Sequence, residues 1–341
     1  MPVNPAAPGM ESTLAALEPP APADALGWNQ SPHIHHLHAP RAGETASLLV
    51  DYRELFKLRV TLMVTLTAWA GFYLGSMRSG ISSVQPGLVE ALLGIAVVSA
   101  GSAALNQVIE RRLDAKMHRT ADRPMAAGRI GLAHGIAIGL FAIVAGTLWL
   151  TRETNLVTGG LTLLTAFLYV AVYTPLKRFT TLATFIGAFP GAMPPLLGWT
   201  AARGVIEWQG VALFAILFAW QFPHFMSIAW LYRDDYARAG IRMLPVIQPD
   251  GWSTALEALT YAVLIIPVSL LPYWLHMDGK LYAVAALALG LVYLAYTIRF
   301  ARIVRARSNA ESRMFARDLL KVSVIYLPLL LTALMLNAVG K

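Results

Sequence analysis

The chain has 341 residues, of which 57% are hydrophobic and only 13% are Asp, Glu, Lys or Arg, where a soluble domain carries about 25% charge. With a mean hydropathy of +0.56, this composition excludes an ordinary globular enzyme and excludes disorder as the general state, since disorder needs low hydrophobicity. The absence of cysteine excludes a disulfide scaffold, an iron–sulfur cluster and a thiolate zinc site, and leaves the redox compartment open; the net charge of +8 first raises the question of which membrane face holds the cations.

Residues 1–45 are Pro- and Ala-rich, without an apolar run of spanning length, and read as a disordered cytoplasmic tail. They lack the basic start and apolar stretch of a signal peptide, so no cleavage is expected. The tail holds four of the eight histidines, in the stretch Ser31 to His38. Such tracts can bind metal, but outside a fold the reading is a solvated tail.

From residue 52 to 341 the sequence reads as one transmembrane domain. Nine apolar segments are expected to span, at 60–76, 88–106, 130–150, 156–174, 181–202, 209–230, 253–275, 281–298 and 322–339, each near the roughly 20 residues that a membrane helix needs. The fold class is therefore an all-α polytopic membrane protein. Gly187, Pro190, Gly191, Pro194 and Pro195 within the fifth segment are tolerable where neighbouring helices satisfy the backbone. With the N-terminus inside, only Arg78, Arg152, Arg203, Lys280 and Lys341 of the 27 Lys and Arg fall in outer connections. The other 22 are inner, which predicts a cytoplasmic N-terminus and an outer C-terminus and removes nucleic acid as the reason for the positive charge.

Two inner loops mix carboxylates with these cations. The first runs Asn106-Gln-Val-Ile-Glu110-Arg-Arg-Leu-Asp114 and continues through Arg119 and Arg123 to Pro124. If the second helix extends through them, Asn106, Glu110 and Asp114 share one face over about 12 Å. A few convergent oxygen ligands suit Mg²⁺ held jointly with substrate phosphates, and Arg119 and Arg123 offer forked donors to phosphate oxygens. The second loop, Trp230 to Pro245, places Asp234 and Asp235 beside Arg233 and Arg238, directly after the sixth segment. Two acidic clusters at one cavity mouth would bind two ions around a diphosphate; the competing reading is a pair of solvated loops.

These residues resemble the UbiA superfamily of intramembrane prenyltransferases, from about residue 52 to the C-terminus. The resemblance rests on the Asn106–Pro124 loop, Tyr173-Thr-Pro-Leu-Lys177-Arg178, the run Gly187 to Trp199, Trp220-Gln221-Phe-Pro223-His224-Phe225, and Asp234-Asp235-Tyr-Ala-Arg-Ala-Gly240. The last two favour the branch whose acceptor is haem. Glu110 stands where the superfamily usually has Asp, and Arg238 and Ala239 stand four residues beyond Asp234 and Asp235, where its second motif has a further aspartate.

The resemblance implies a bundle around a cavity open to the cytoplasmic side of a bacterial inner membrane. It implies transfer of the farnesyl group of farnesyl diphosphate to a vinyl group of haem b, with a hydroxyl added from water, giving haem O. Asn106, Glu110, Asp114, Asp234 and Asp235 are then the Mg²⁺ ligands, and Arg119, Arg123, Lys177 and Arg178 hold the diphosphate, although Lys177 and Arg178 also satisfy the topology. His224, an ionisable group within a span, is expected near the haem or the reacting vinyl, or else hydrogen-bonded across helices. A haem A synthase or terminal oxidase is the implied downstream partner. The rival readings are prenylation of a quinone precursor or other lipid, and a transporter, which predicts charges across the whole bilayer rather than on one face.

Overall fold

A computed structural model describes residues 48–78, 87–336 and 338 of the chain. The expected tail over residues 1–45, with its histidines, lies outside them, as do the last residues of the ninth expected segment. The described chain is almost wholly helical: α1 (Leu48–Leu55), α2 (Leu58–Arg78), α3 (Leu88–Asp114), α4 (Leu132–Glu153), α5 (Leu156–Leu176), α6 (Ala183–Arg203), α7 (Trp208–Leu231), the short α8 (Arg233–Ala239) and α9 (Leu244–Ile247), then α10 (Trp252–Trp274), α11 (Lys280–Arg305) and α12 (Asn309–Leu336). Helix is the expected outcome for long apolar runs, because it satisfies every backbone group within its own segment. The last helix begins at Asn309, not near residue 322. Its first turns carry Arg313, Arg317, Asp318 and Lys321 and so escape an apolarity count.

Among the described residues eight helices are long and apolar enough to cross a membrane. The remaining expected segment, the fifth at 181–202, forms α6, a helix of 21 residues, long enough to span, but Pro190, Pro194, Pro195 and its glycines dilute its apolar content. Packing compensates. Gly198 lies against the Ala68 carbonyl of α2, and Gly71 of α2 against the Pro195 carbonyl, so closely that an added Cβ would stand 1.8 and 1.9 Å from those oxygens. Only glycine permits that approach of two helices.

The core has two parts. One gathers α7, α10, α11 and α12 around Trp199, Tyr282, Tyr293 and Tyr326. Smaller clusters tie α2, α3, α4 and α6 together. Between them, α2, α3, α5 and α6 surround a cavity of about 380 Å³. α5 widens there into a π-helical turn at Leu168–Tyr173, a distortion that recurs at functional sites, and it brings Tyr169 and Tyr173 to the cavity wall.

Candidate active site

α3 continues past its apolar part to Asp114, so Asn106, Glu110 and Asp114 stack along one face as their spacing predicts. All three line the cavity and are buried, at 1%, 6% and 1% exposure. Each is met by a cation. Lys57 Nζ donates to Asn106 Oδ1 at 2.6 Å, Lys177 Nζ is 2.5 Å from Glu110 Oε1, and Arg123 Nη1 is 3.0 Å from both Asp114 carboxylate oxygens. Asn106 Nδ2 donates to Glu110 Oε2 and to Thr174 Oγ1, each at 3.0 Å, which fixes its amide orientation. The Lys177 ammonium also lies 4.6 Å from the Tyr173 ring centre.

Buried charges must be paired, and here the pairing is unequal. Burial, then the neighbouring Arg123 and Lys177, push Lys57 down to about 7 against the pull of Glu110 and Asp114. Burial also works against the Lys177 ammonium, but Tyr173 and Glu110 more than offset it and its pKa is raised. Lys57 adopts a left-handed backbone, φ 44°, in the turn between α1 and α2. A non-glycine residue in that region stores strain, which functional sites tolerate.

Below this charged mouth the walls are largely apolar. Val60, Val64, Ile95, Val98, Ala166, Pro194 and Leu197 line the depth together with Ser102, Thr61 and Thr162. The hydroxyls of those three donate to backbone carbonyls, Ser102 to Val98, Thr61 to Phe56 and Thr162 to Thr158, and so offer no free donor to a ligand. The arrangement is a cation-rich mouth over a largely apolar slot.

The other predicted residues divide. Arg119 lines the mouth with Arg123 and Lys177, whereas Arg178, one residue past Lys177, does not line it. Asp234 is exposed, Asp235 pairs with Arg238 on the same short helix, and neither lines the cavity. Tyr236, next in sequence, does line it. Gly240, at φ 70°, ends α8 in a left-handed turn, after which Ile241 and Met243 reach the cavity. Although the adjacent Phe225 lines this cavity, His224 does not. Its Nδ1 is 2.8 Å from Ser323 Oγ of α12, and its ring stacks on Trp220 at 4.8 Å, the cross-helix arrangement rather than a cavity contact. Trp220 Nε1 donates to the Ser323 carbonyl and accepts nothing itself, while Tyr293 donates to the Trp220 carbonyl, so α7, α11 and α12 are tied at this point.

Residues 63–319 match the UbiA prenyltransferase family. The chain belongs to the UbiA prenyltransferase family. It is 52% identical to the protoheme IX farnesyltransferase of Koribacter versatilis over 301 residues, which cover 88% of this chain and 97% of that protein. It is 42% identical to the one of Solibacter usitatus, covering 85% and 99%. It is 35% identical to the mitochondrial protoheme IX farnesyltransferase of Arabidopsis thaliana, covering 85% and 65%. Among solved structures, a digeranylgeranylglyceryl phosphate synthase superposes with a TM-score of 0.69 at 17% identity, covering 85% of this chain and 98% of that one. A UbiA homologue of Archaeoglobus fulgidus bound to DMAPP and Mg²⁺ gives 0.57 at 15%, covering 83% and 99%. At these identities the likeness is one of fold.

The protein is thus a multi-pass membrane prenyltransferase of the UbiA fold. Sequence reasoning missed Lys57, Tyr169, Tyr173 and Tyr236 as lining residues of this UbiA cavity. Lys57 counts in the sequence only as one of the inner cations, and a tyrosine near a span end carries no site signal of its own, because aromatics commonly belt the membrane interface. A signal was present at Tyr173, four residues before Lys177 and therefore on the same helix face.

Proposed function

We propose that this UbiA protein transfers the farnesyl group of farnesyl diphosphate to a vinyl carbon of haem b, with water adding a hydroxyl, to give haem O. The observation that carries the reading is the juxtaposition of a cation-rich, oxygen-ligand mouth with a largely apolar slot, in a chain whose similar relatives bear the name protoheme IX farnesyltransferase. The membrane is a bacterial inner membrane with the loop face cytoplasmic, as the 22 inner cations support.

The donor set fits a hard divalent cation. Asn106, Glu110 and Asp114 present oxygens only, and two carboxylates are too few for a protein cage, so the rest of the shell falls to diphosphate and water, the usual manner of Mg²⁺. Glu110 is buried with the Lys177 ammonium at Oε1 and the Asn106 amide donating to Oε2. When bound, Mg²⁺ supplies positive charge to the leaving diphosphate. Asp234 and Asp235 could join a second ion only if α8 turned towards the mouth.

In the reaction the allylic C1–O bond breaks, its electron pair leaves with the diphosphate, and C1 bonds to the terminal vinyl carbon. Water then adds to the inner vinyl carbon and loses a proton. Lys57, Lys177, Arg119 and Arg123 stabilise the charge that grows on the leaving group. Tyr169 and Tyr173 line the cavity, and aromatic rings there can stabilise an allylic cation by their quadrupoles. The hydrocarbon walls keep bulk water from quenching it. Haem O then passes to a haem A synthase or directly to a terminal oxidase.

Membranes carrying the protein, given labelled farnesyl diphosphate, Mg²⁺ and either haem b or a hydroxybenzoate, are expected to label haem alone. Haem extracted from cells with the gene should contain haem O that cells without it lack. Label passing only to the phenol would refute the assignment.

A further inference from the structure

The second loop meets the first beside the cavity mouth, where Tyr236 lines the cavity and Tyr232 packs on a cation of the first loop. The guanidinium carbon of Arg119, on the first loop, lies 4.8 Å from the ring centre of Tyr232 and 5.8 Å from that of Tyr236. One of its amino groups donates to the Tyr236 hydroxyl at 3.4 Å. Around this contact Leu113 and Met117 pack with Tyr236, Ala239 and Ile241, a small apolar core that joins the two loops.

The partners of the mouth cations differ in kind. Arg123 is neutralised by Asp114 and Lys177 by Glu110. For Arg119 no ion pair is found among the described residues, and its neighbours are neutral rings. Aromatic faces attract a guanidinium through their quadrupoles without cancelling its charge. They also restrict a side chain that otherwise loses its rotamer freedom only when the anion arrives, a cost that falls on affinity.

We infer that Tyr232 and Tyr236 are positioning residues, which hold Arg119 oriented and un-neutralised for the diphosphate of the substrate. The second loop then serves the anion by aromatic contact with the first, on the same side of the mouth where its aspartates stand outside the cavity. The inference rests on the prenyl-transfer reading and assigns these rings a part in it.

The test uses the purified full-length protein in detergent, with inorganic pyrophosphate and Mg²⁺ as the binding probe and KM values for farnesyl diphosphate and haem b as second readouts. Tyr232→Leu is expected to weaken pyrophosphate binding and raise the farnesyl diphosphate KM by about tenfold, with the haem KM unchanged. Tyr232→Phe keeps the ring face and should restore near wild-type values. Tyr236→Phe, which removes only the hydroxyl, should cost a few-fold and provides a second reading if Tyr232→Leu does not fold. In an Arg119→Ala background, Tyr232→Leu should add nothing, because the ring acts through Arg119. Full additivity in that cycle, a parallel rise in the haem KM, or unchanged affinity in both tyrosine variants would overturn the inference. Failure of the wild-type protein to bind pyrophosphate would instead overturn the diphosphate reading of the mouth, and the inference with it.

Discussion

Asp114→Asn separates the chemistry of the mouth from its folding. The substitution keeps shape and removes one charge from a residue that is 1% exposed, both of whose carboxylate oxygens lie 3.0 Å from Arg123 Nη1. The folding cost is small. Arg123 keeps 17% side-chain exposure and can turn to water, and an amide oxygen can still accept from it, so about 1 kcal/mol is lost, a fall of about 2–4 °C in Tm for a chain of this size. The chemical cost is large. Two unit charges about 4 Å apart interact by about 4 kcal/mol at an effective dielectric of 20, and a missing carboxylate forfeits this against each positive charge gathered at the diphosphate. Taking about 3–4 kcal/mol of net loss, kcat/KM should fall about 10²–10³-fold. The assay follows haem O formation chromatographically from farnesyl diphosphate, haem b and Mg²⁺, with a thermal melt of the same preparation. Excess Mg²⁺ should recover part of the activity. Activity within threefold of wild type, or a loss that tracks unfolding, would refute the role of Asp114.

Three further outcomes follow from the same geometry. Gly198→Ala places a Cβ 1.8 Å from the Ala68 carbonyl, a backbone atom that cannot step aside; forcing α2 and α6 apart should cost at least about 1–3 kcal/mol, seen as a lower Tm, whereas Gly160→Ala, with nothing within 4 Å, should be silent. His224→Ala leaves Ser323 Oγ without its cross-helix partner and should lower stability by about 1–3 kcal/mol while the farnesyl diphosphate KM holds; a KM change without a Tm change would return His224 to the site. Asp278 sits outside the spans with Oδ2 buried and unpartnered, and burial raises its carboxyl to about 6 despite the Gly279 amide. Since the folded pKa exceeds the unfolded one, the ionised group costs stability as pH rises through about 4 to 6 and fully above. Asp278→Asn should therefore raise Tm at pH 7.5, with the gain disappearing in acid, and an equal gain at every pH would sink that account.

How far the site could be read from the chain depended on whether its residues shared one helix. Asn106, Glu110 and Asp114 did, and α3 carries them into the cavity as the spacing requires. Lys177 and Arg178 illustrate the opposite case. Adjacent in sequence and alike in charge, they lie in the turn that follows α5, and only Lys177 lines the mouth. Asp234 and Asp235 read as a second acidic cluster by composition, but the short α8 turns Tyr236 inward in their place. Lys57 lies 49 residues from the amide it contacts, a separation that no local pattern reports.

By itself the sequence determined that the chain is a multi-pass membrane protein and the class of its architecture, because low charge with recurrent apolar runs permits little besides a helical bundle. It also determined the first acidic motif, since helical periodicity is a property of neighbours along the chain. The tertiary structure decided the rest. Which cations meet which oxygens, that α6 holds its place by glycine contacts although diluted by prolines, that His224 faces Ser323, and that Arg119 rests between two rings of the other loop are contacts between segments far apart in sequence. Such contacts are fixed by close packing and by the need to pair every buried polar group, and these constraints act only once the helices have come together.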